Sequence, residues 1–346
     1  MKQIKNFFTV LFTLIFCILL FRNGSKNDYT EAFELQPGDA APVPIDARLT
    51  SIVIAYTNEA FIADQVAPRV PVGQQTFRYL KYNLADGFNM PETRVGRTSE
   101  RNKVEFGGTE SEATCENYAL DDIVPIDDIR NAPEGYDPEG RAAEGVANLI
   151  SLGHEIRTAD LVFTSGNYAT GYKATLSGTS QFSHVSSTPI ATIQDAMDAM
   201  IMRPNVAVFG QAAWSKTRRN PELVSAILGN EGTKGMITRE QFAALFELDE
   251  VLVGPGWINS AKKGQTATLA RVWGKHLALI CRDKLASTTN SRVTFAYTAQ
   301  FGDKVARNEF SSKYGLNGAQ VVTAGESVKE LIPASNLGYL FTDAVA

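Results

Sequence analysis

Hydrophobic positions change their spacing several times along the chain, and the changes divide it into elements. After Asp137-Pro138, apolar side chains at Ala142, Val146, Leu149, Ile156, Ala159 and Phe163 recur at steps of three, four and seven. That spacing predicts one helix of about 25 residues, on the order of 40 Å long, with Asp137 as N-cap acceptor and Pro138 at the first position. Val146, Leu149, Ile156 and Phe163 are its expected core contacts, and Gly145 and Gly153 make it dependent on tertiary packing. A second helix is expected from the cap Thr188 and Pro189, with Ile190, Ile193, Met197, Met200 and Ile201 on its apolar side, ending at Arg203-Pro204. Residues 205–210 read as a short buried strand, Trp214 sits in a helical stretch, and Asn220-Pro221 opens another helix. Thr238-x-x-Gln241 is a capping box, and 250–254 is strand again. This alternation predicts a mixed α/β region, followed by a C-terminal part that is mainly strand, over 277–280, 293–301 and 321–332.

A different pattern fills 72–122, where 15 of 51 residues are charged. The flanks are strand-like, with Phe77, Tyr79, Leu80 and Tyr82 on one side and Val104, Phe106, Tyr118 and Leu120 on the other. Between them Arg94, Arg97, Arg101 and Lys103 mix with Glu92, Glu100 and Glu105. So long a polar excursion without a helix predicts a projecting two-stranded arm with a charged tip. An isolated hairpin is marginal in water, so its partners are expected on another subunit, with a surface loop as the bland alternative. Upstream, Pro68 and Pro71 hold 66–72 extended.

The first residues follow neither pattern. Lys2 and Lys5 precede an apolar run over residues 7–21, resembling a signal-peptide core yet shorter than a membrane span and followed by no small-residue cleavage site. Export or anchoring, removal from the working protein, and a buried helix are the open readings. Residues 1 to about 40 are expected to be dispensable for folding, and the apolar part absent from a water-exposed assembly, because repeated on every copy it would drive aggregation. Residues 24–44 read as a flexible arm.

Composition narrows the classes. The 346 residues are 44% hydrophobic and 21% charged, which excludes disordered, collagen-like and multi-span membrane proteins. A net charge of −5 argues against a dedicated nucleic-acid binder. Cys115 and Cys281 form one conceivable pair and no C-x-x-C is present.

Catalytic motifs are scarce. His154-Glu155 begins a zinc-protease pattern, but position 158 is Thr where the second His belongs. The glycine-rich stretch 229–235 fails the P-loop spacing, and no nucleophile elbow or dinucleotide fingerprint occurs. His154, His184 and His276 read as surface or satisfied structural residues. Asp121-Asp122 and Asp127-Asp128 read as solvated loop charges, and Lys216, Arg218, Arg219, Lys262 and Lys263 as solvated basic faces. No catalytic, cofactor or metal residue is assigned, and no enzyme activity is expected.

The order of several segments nonetheless resembles one family, the tailed-bacteriophage or prophage major capsid proteins of the Hong Kong 97 fold. The segments are Ile62-Ala63-Asp64-Gln65-Val66-Ala67-Pro68-Arg69-Val70-Pro71-Val72-Gly73, Asn131-Ala132-Pro133-Glu134-Gly135-Tyr136-Asp137-Pro138 and Arg203-Pro204-Asn205-Val206. They continue with Trp214-Ser215-Lys216-Thr217-Arg218-Arg219-Asn220-Pro221, Val272-Trp273-Gly274-Lys275-His276 and Glu326-Ser327-Val328-Lys329-Glu330-Leu331. The resemblance covers Pro44 to the C-terminus, and residues 1–21 depart from it. It implies an α+β fold with an N-terminal segment and arm (1–44), the start of the capsid fold (45–71), an extended β-hairpin loop (72–125), and a peripheral domain with a spine helix (126–188). An axial domain (189–285) and returning C-terminal strands (286–346) complete it. It also implies self-association into pentamers and hexamers that close an icosahedral shell around double-stranded DNA held by weak, non-specific contact. Scaffolding, portal and decoration proteins are the implied partners, and the virion capsid, assembled in the host cytoplasm, is the implied location. Phe77, Tyr79, Arg94, Arg97, Arg101 and Lys103 are the expected inter-subunit arm residues. An exported or membrane-anchored enzyme, motivated by 1–21 alone, and a nanocompartment shell around protein cargo are the alternatives.

Overall fold

The computed structural model describes residues 45–56, 58–81, 90, 92–103, 109–229, 235–262, 264–284 and 293–346. The expectations for residues 1–44, and for most of the 229–235 loop, lie outside the described residues.

The described residues begin with α1 (Ala47–Ala55), α2 (Ala63–Val66), β1 (Arg69–Val72), β2 (Thr76–Lys81), β3 (Thr109–Thr114) and β4 (Glu116–Pro125). It continues through α3 (Ile126–Arg130), α4 (Pro138–Phe163), β5 (Lys173–Thr175), α5 (Pro189–Ala199), β6 (Val206–Gly210), α6 (Gln211–Thr217), α7 (Pro221–Leu228) and α8 (Arg239–Phe246). The last part is nearly all strand: β7 (Glu250–Gly254), β8 (Trp257–Asn259), β9 (Leu269–Arg271), β10 (Leu277–Ile280), β11 (Tyr297–Phe301), β12 (Val305–Ser311), β13 (Ala319–Leu331) and β14 (Gly338–Thr342).

Two five-stranded sheets organise these elements. In the first, the 13-residue β13 pairs antiparallel with β4 along one edge, while β12 and β11 take successive stretches of its other edge. β1 joins β11 in parallel. Alternation along β13 turns Val322 and Ala324 toward α4, where they meet Val124, Ala306, Leu49 and Val53. The second sheet runs β5-β14-β10-β6-β7. Its central strands are buried on both faces, which explains their unbroken apolar sequence. Ala207, Phe209, Leu277 and Leu279 enter a core roofed by α5 to α8, whereas Val206, Val208, Ala278 and Ile280 enter a second core with α2, Trp273, Phe295 and the end of α4. Phe209, Trp214 and Phe242 meet edge-on in the first core, with centroids 5.3–5.6 Å apart.

Two glycines let the strands approach the Trp273 segment. A Cβ on Gly254 would lie 2.0 Å from the Trp273 ring, and one on Gly210 would lie 2.3 Å from the Trp273 carbonyl oxygen.

The long helix α4 links both layers. Ala142, Ala143, Val146, Ala147 and Ile150 press its first half onto the first sheet, and Ala159 and Val162 press its last turns onto the second. The expected stripe is therefore corrected at one position. Val146 is 4% exposed, but Leu149 is 54% exposed, and the step from Val146 runs four residues to Ile150. The contact face is built from alanines, which let the helix lie close to the sheet, so the bulkier Leu149 is not the residue that faces in. Ile156 and Phe163 are half-buried, and Phe163 contacts Trp273 edge-on at 5.5 Å.

Caps divide similarly. Thr238 and Gln241 form the reciprocal capping box, and Asn220 Oδ1 accepts from the Glu222 amide at 3.0 Å. Asp137 makes no side-chain cap; its carboxylate pairs with Arg48 from α1, which also reaches Glu139 at 2.8 Å. Thr188 likewise makes no side-chain cap, although Pro189 does begin the helix. The acidic pairs are not in loops: Asp121 and Asp122 lie in β4, and Asp127 and Asp128 in the first turn of α3. Cys115 and Cys281 are both free.

Candidate assembly surfaces

A buried ionic network locks α4 to the first sheet and so fixes the base from which the arm projects. His154 sits on the buried face of α4, with Nδ1 2.8 Å from Glu330 and Nε2 3.2 Å from Asp64. Arg69 of β1 bonds Asp64 at 2.7 Å and Glu326 at 2.7 Å, and Arg157 bonds Glu330 at 3.0 Å while lying 3.6 Å over the Tyr118 ring. Burial works against an imidazolium at His154, but the hydrogen bonds to Asp64 and Glu330 outweigh it, and its pKa lies above the usual 6.5. Glu330 moves the other way: burial opposes its charge, yet His154 and Arg157 hold its pKa below 4.5. Asp64 is also lowered, against its partial burial, by His154 and Arg69.

Next to this network, Glu155 caps α2 from a neighbouring element. Its carboxylate accepts from the Ile62 amide at 3.0 Å, the Ala63 amide at 2.7 Å and Trp273 Nε1. Burial is the largest influence and pushes its pKa up, with those donors pulling against it. The network's charges are structural cement, each held by partners on another element. His184 is exposed, its Nδ1 accepting from the Ser186 amide, and His276 is half-buried, accepting from the Asp343 amide. Among the described residues no group of three metal-ligating side chains comes together.

The arm leaves this base as β2 and β3, paired antiparallel from Thr76↔Thr114 to Lys81↔Thr109. Its root is apolar: Phe77, Cys115, Val70, Val72, Tyr297, Ala299 and Leu331 form one small core, with Tyr79 packed against it. Farther out the faces turn polar, and Arg78 meets Glu110 in an exposed pair at 3.4 Å, worth little in water. At the tip, residues 90 and 92–103 are all exposed, Arg94, Arg97, Arg101 and Lys103 among them, and Asn102 bonds the Glu92 carbonyl at 2.8 Å. Phe77 and Tyr79 thus lie at the root and the four basic residues at the tip, two separate places on one arm.

Sequence reasoning passed over the ionic network. Its signal is a pair of acids four residues apart, Glu326 and Glu330, on the same strand face as Val328, opposite His154 on a helix face.

A long helix shared between a mainly antiparallel sheet and a mixed α/β layer, with a two-stranded arm rooted beside them, defines the Hong Kong 97 class of phage capsid folds. Solved structures share it. A phage-related protein from Bordetella bronchiseptica superposes with a TM-score of 0.69 at 20% identity, covering 88% of this chain and 98% of that one. The mature capsid of bacteriophage PhiM1 superposes at 0.51 and 10% identity, covering 90% and 91%. No family model matches the chain. A curated relative does: the major capsid protein of Pseudomonas phage JBD67 is 48% identical over 306 residues, 88% of this chain and 99% of that protein. The chain belongs to the family of bacteriophage major capsid proteins.

Proposed function

We propose that this chain is the repeating subunit of an icosahedral phage head, assembling with copies of itself into pentamers and hexamers around double-stranded DNA and performing no chemistry of its own. The identity to the JBD67 major capsid protein, spanning nearly that protein's whole length, is the observation that carries the reading. The exported-enzyme and nanocompartment readings have no comparable support. The mechanism is geometric. An arm whose root is apolar and whose tip is charged and exposed gains partners by lying across a neighbouring subunit, so stability is shared between copies and depends on assembly. Scaffolding, portal and decoration proteins, and assembly in the host cytoplasm, are further parts of this proposal. Among the described residues no helix is long and apolar enough to cross a membrane; residues 7–21 lie outside them.

Expression of the full chain, followed by sedimentation and electron microscopy, tests the reading. Closed particles of uniform size are expected. A folded chain that stays monomeric or dimeric at concentrations well above those of its expression would overturn it.

A further inference from the structure

The hairpin β8–β9 has no evident role in either core. Its strands are three residues each, paired Trp257↔Arg271 and Asn259↔Leu269, and such a unit is marginal alone. It is nevertheless well built. Asn259 Oδ1 accepts from the Ala261 amide at 3.1 Å and the Thr268 amide at 2.9 Å, and Arg271 bonds the Pro255 carbonyl at 2.6 Å. The Arg271 guanidinium lies 3.7 Å over the Trp257 ring. The face so stiffened points outward: Trp257 is 50% exposed and Leu269 62% exposed. Residues 255–275 carry Lys262, Lys263, Arg271 and Lys275 and not one acid. A preorganised tryptophan with a stacked arginine beside an exposed leucine is the composition of an interface anchor.

The complement is present on the same chain. Residues 109–130 carry Glu110, Glu112, Glu116, Asp121, Asp122, Asp127 and Asp128 against Arg130 alone. In their midst β4 is an edge strand of the first sheet, and it exposes Leu120 on the α4 side and Ile123, next to Asp121, on the opposite face. We infer that the β8–β9 hairpin of one copy docks on the acidic edge strand β4 of a neighbouring copy, its Lys262 and Arg271 against the carboxylates and its Trp257 and Leu269 against the exposed Ile123 beside Asp121. The inference rests on the shell reading and names one contact within it. Two features favour a second copy over packaged nucleic acid as the occupant. A duplex offers phosphates for the cations but no apolar partner for Leu269, whereas β4 offers both. Each copy also carries one hairpin and one strand, so the contact is head-to-tail and can close around a ring.

The test begins with the unaltered full chain, whose failure to form shells would overturn the shell reading and this contact with it. Given shells, Lys262→Glu/Arg271→Glu and Asp121→Lys/Asp122→Lys are compared with their combination by sedimentation at matched concentration, with circular dichroism as the check of fold. Each double variant is expected to stay folded and lose shell yield on the order of tenfold, the effect of about 1.4 kcal/mol per contact, and the combination is expected to recover most of it. Normal yield from the hairpin variant overturns the contact, and normal shells that no longer retain DNA transfer the hairpin to nucleic acid. Zero-length carbodiimide cross-linking of unaltered shells is independent of any folding defect: Lys262 joined to Asp121, Asp122, Asp127 or Asp128 of another copy supports the contact, and its absence from a map rich in other inter-copy links overturns it.

Discussion

At Leu149 and Ile150 two adjacent aliphatic residues take opposite roles, and only the second faces the sheet. Ile150→Ala is expected to cost about 2–5 kcal/mol, because it empties a site walled by Val124, Val322 and Ala324. Leu149→Ala should stay within about 0.5 kcal/mol in the free subunit. Melting of the two variants side by side checks this, and equal losses would put Leu149 back in the core. The ionic network gives a second residue-scale expectation. The raised pKa of His154 means a stabilisation present below pH 6.5 and lost as pH rises through its folded value. The lowered pKa of Glu330 means one present above 4.5 and lost on acidification below it. Glu155, with its pKa raised by burial, adds a loss that begins as pH rises above 4.5. Subunit melting temperature should therefore peak in the mildly acidic range, and His154→Gln should flatten its fall above pH 6.5; an unchanged slope in that variant would mean the imidazole contributes nothing.

At the scale of elements, the sequence was most readable where spacing and punctuation agreed. The 26-residue helix α4, the capping box of α8 and the Asn220-Pro221 start of α7 follow from local signals, as does the first strand of the arm. Tyr118 and Leu120, expected on the arm's returning flank, instead lie in β4 of the first sheet, where pairing with β13 claims them. Its failures have one cause: a side chain's partner lay far away in sequence. Asp137 has the composition of a cap but answers Arg48, 89 positions back, and the cap of α2 comes from Glu155 on α4, 93 positions from Ile62. The outward face of the acidic strand could not be read without the register of β13 against β4, and the ionic network's partners could not be paired without the packing of α4 on β13. Close approach between elements was equally invisible. Gly210→Ala should strain the β6 contact, since the new methyl would meet the Trp273 and Gly274 carbonyl oxygens, and backbone cannot rotate aside. Loss of soluble subunit is the expected result, and a normal melting temperature would show that the Trp273 loop shifts freely.

For the whole molecule, under the proposed shell reading, assembly falls to the arm and folding to the body. Deleting residues 86–103 removes exposed tip residues and leaves the apolar root around Phe77 and Cys115 intact. The deletion is expected to give a folded subunit that forms no stable shells, and intact particles at normal yield would count against the arm as an inter-subunit element. The body itself is bound together by α4, whose first half completes one core and whose last turns complete another. Neither sheet can melt alone without stripping half of that helix of its apolar cover, and a helix with glycines at 145 and 153 does not persist uncovered. The free subunit should therefore absorb heat in a single peak, with calorimetric and van't Hoff enthalpies equal. Damage confined to one layer, such as Ile150→Ala, should move that peak as a whole instead of splitting it, so that the copies available to a shell are wholly native and never half-melted.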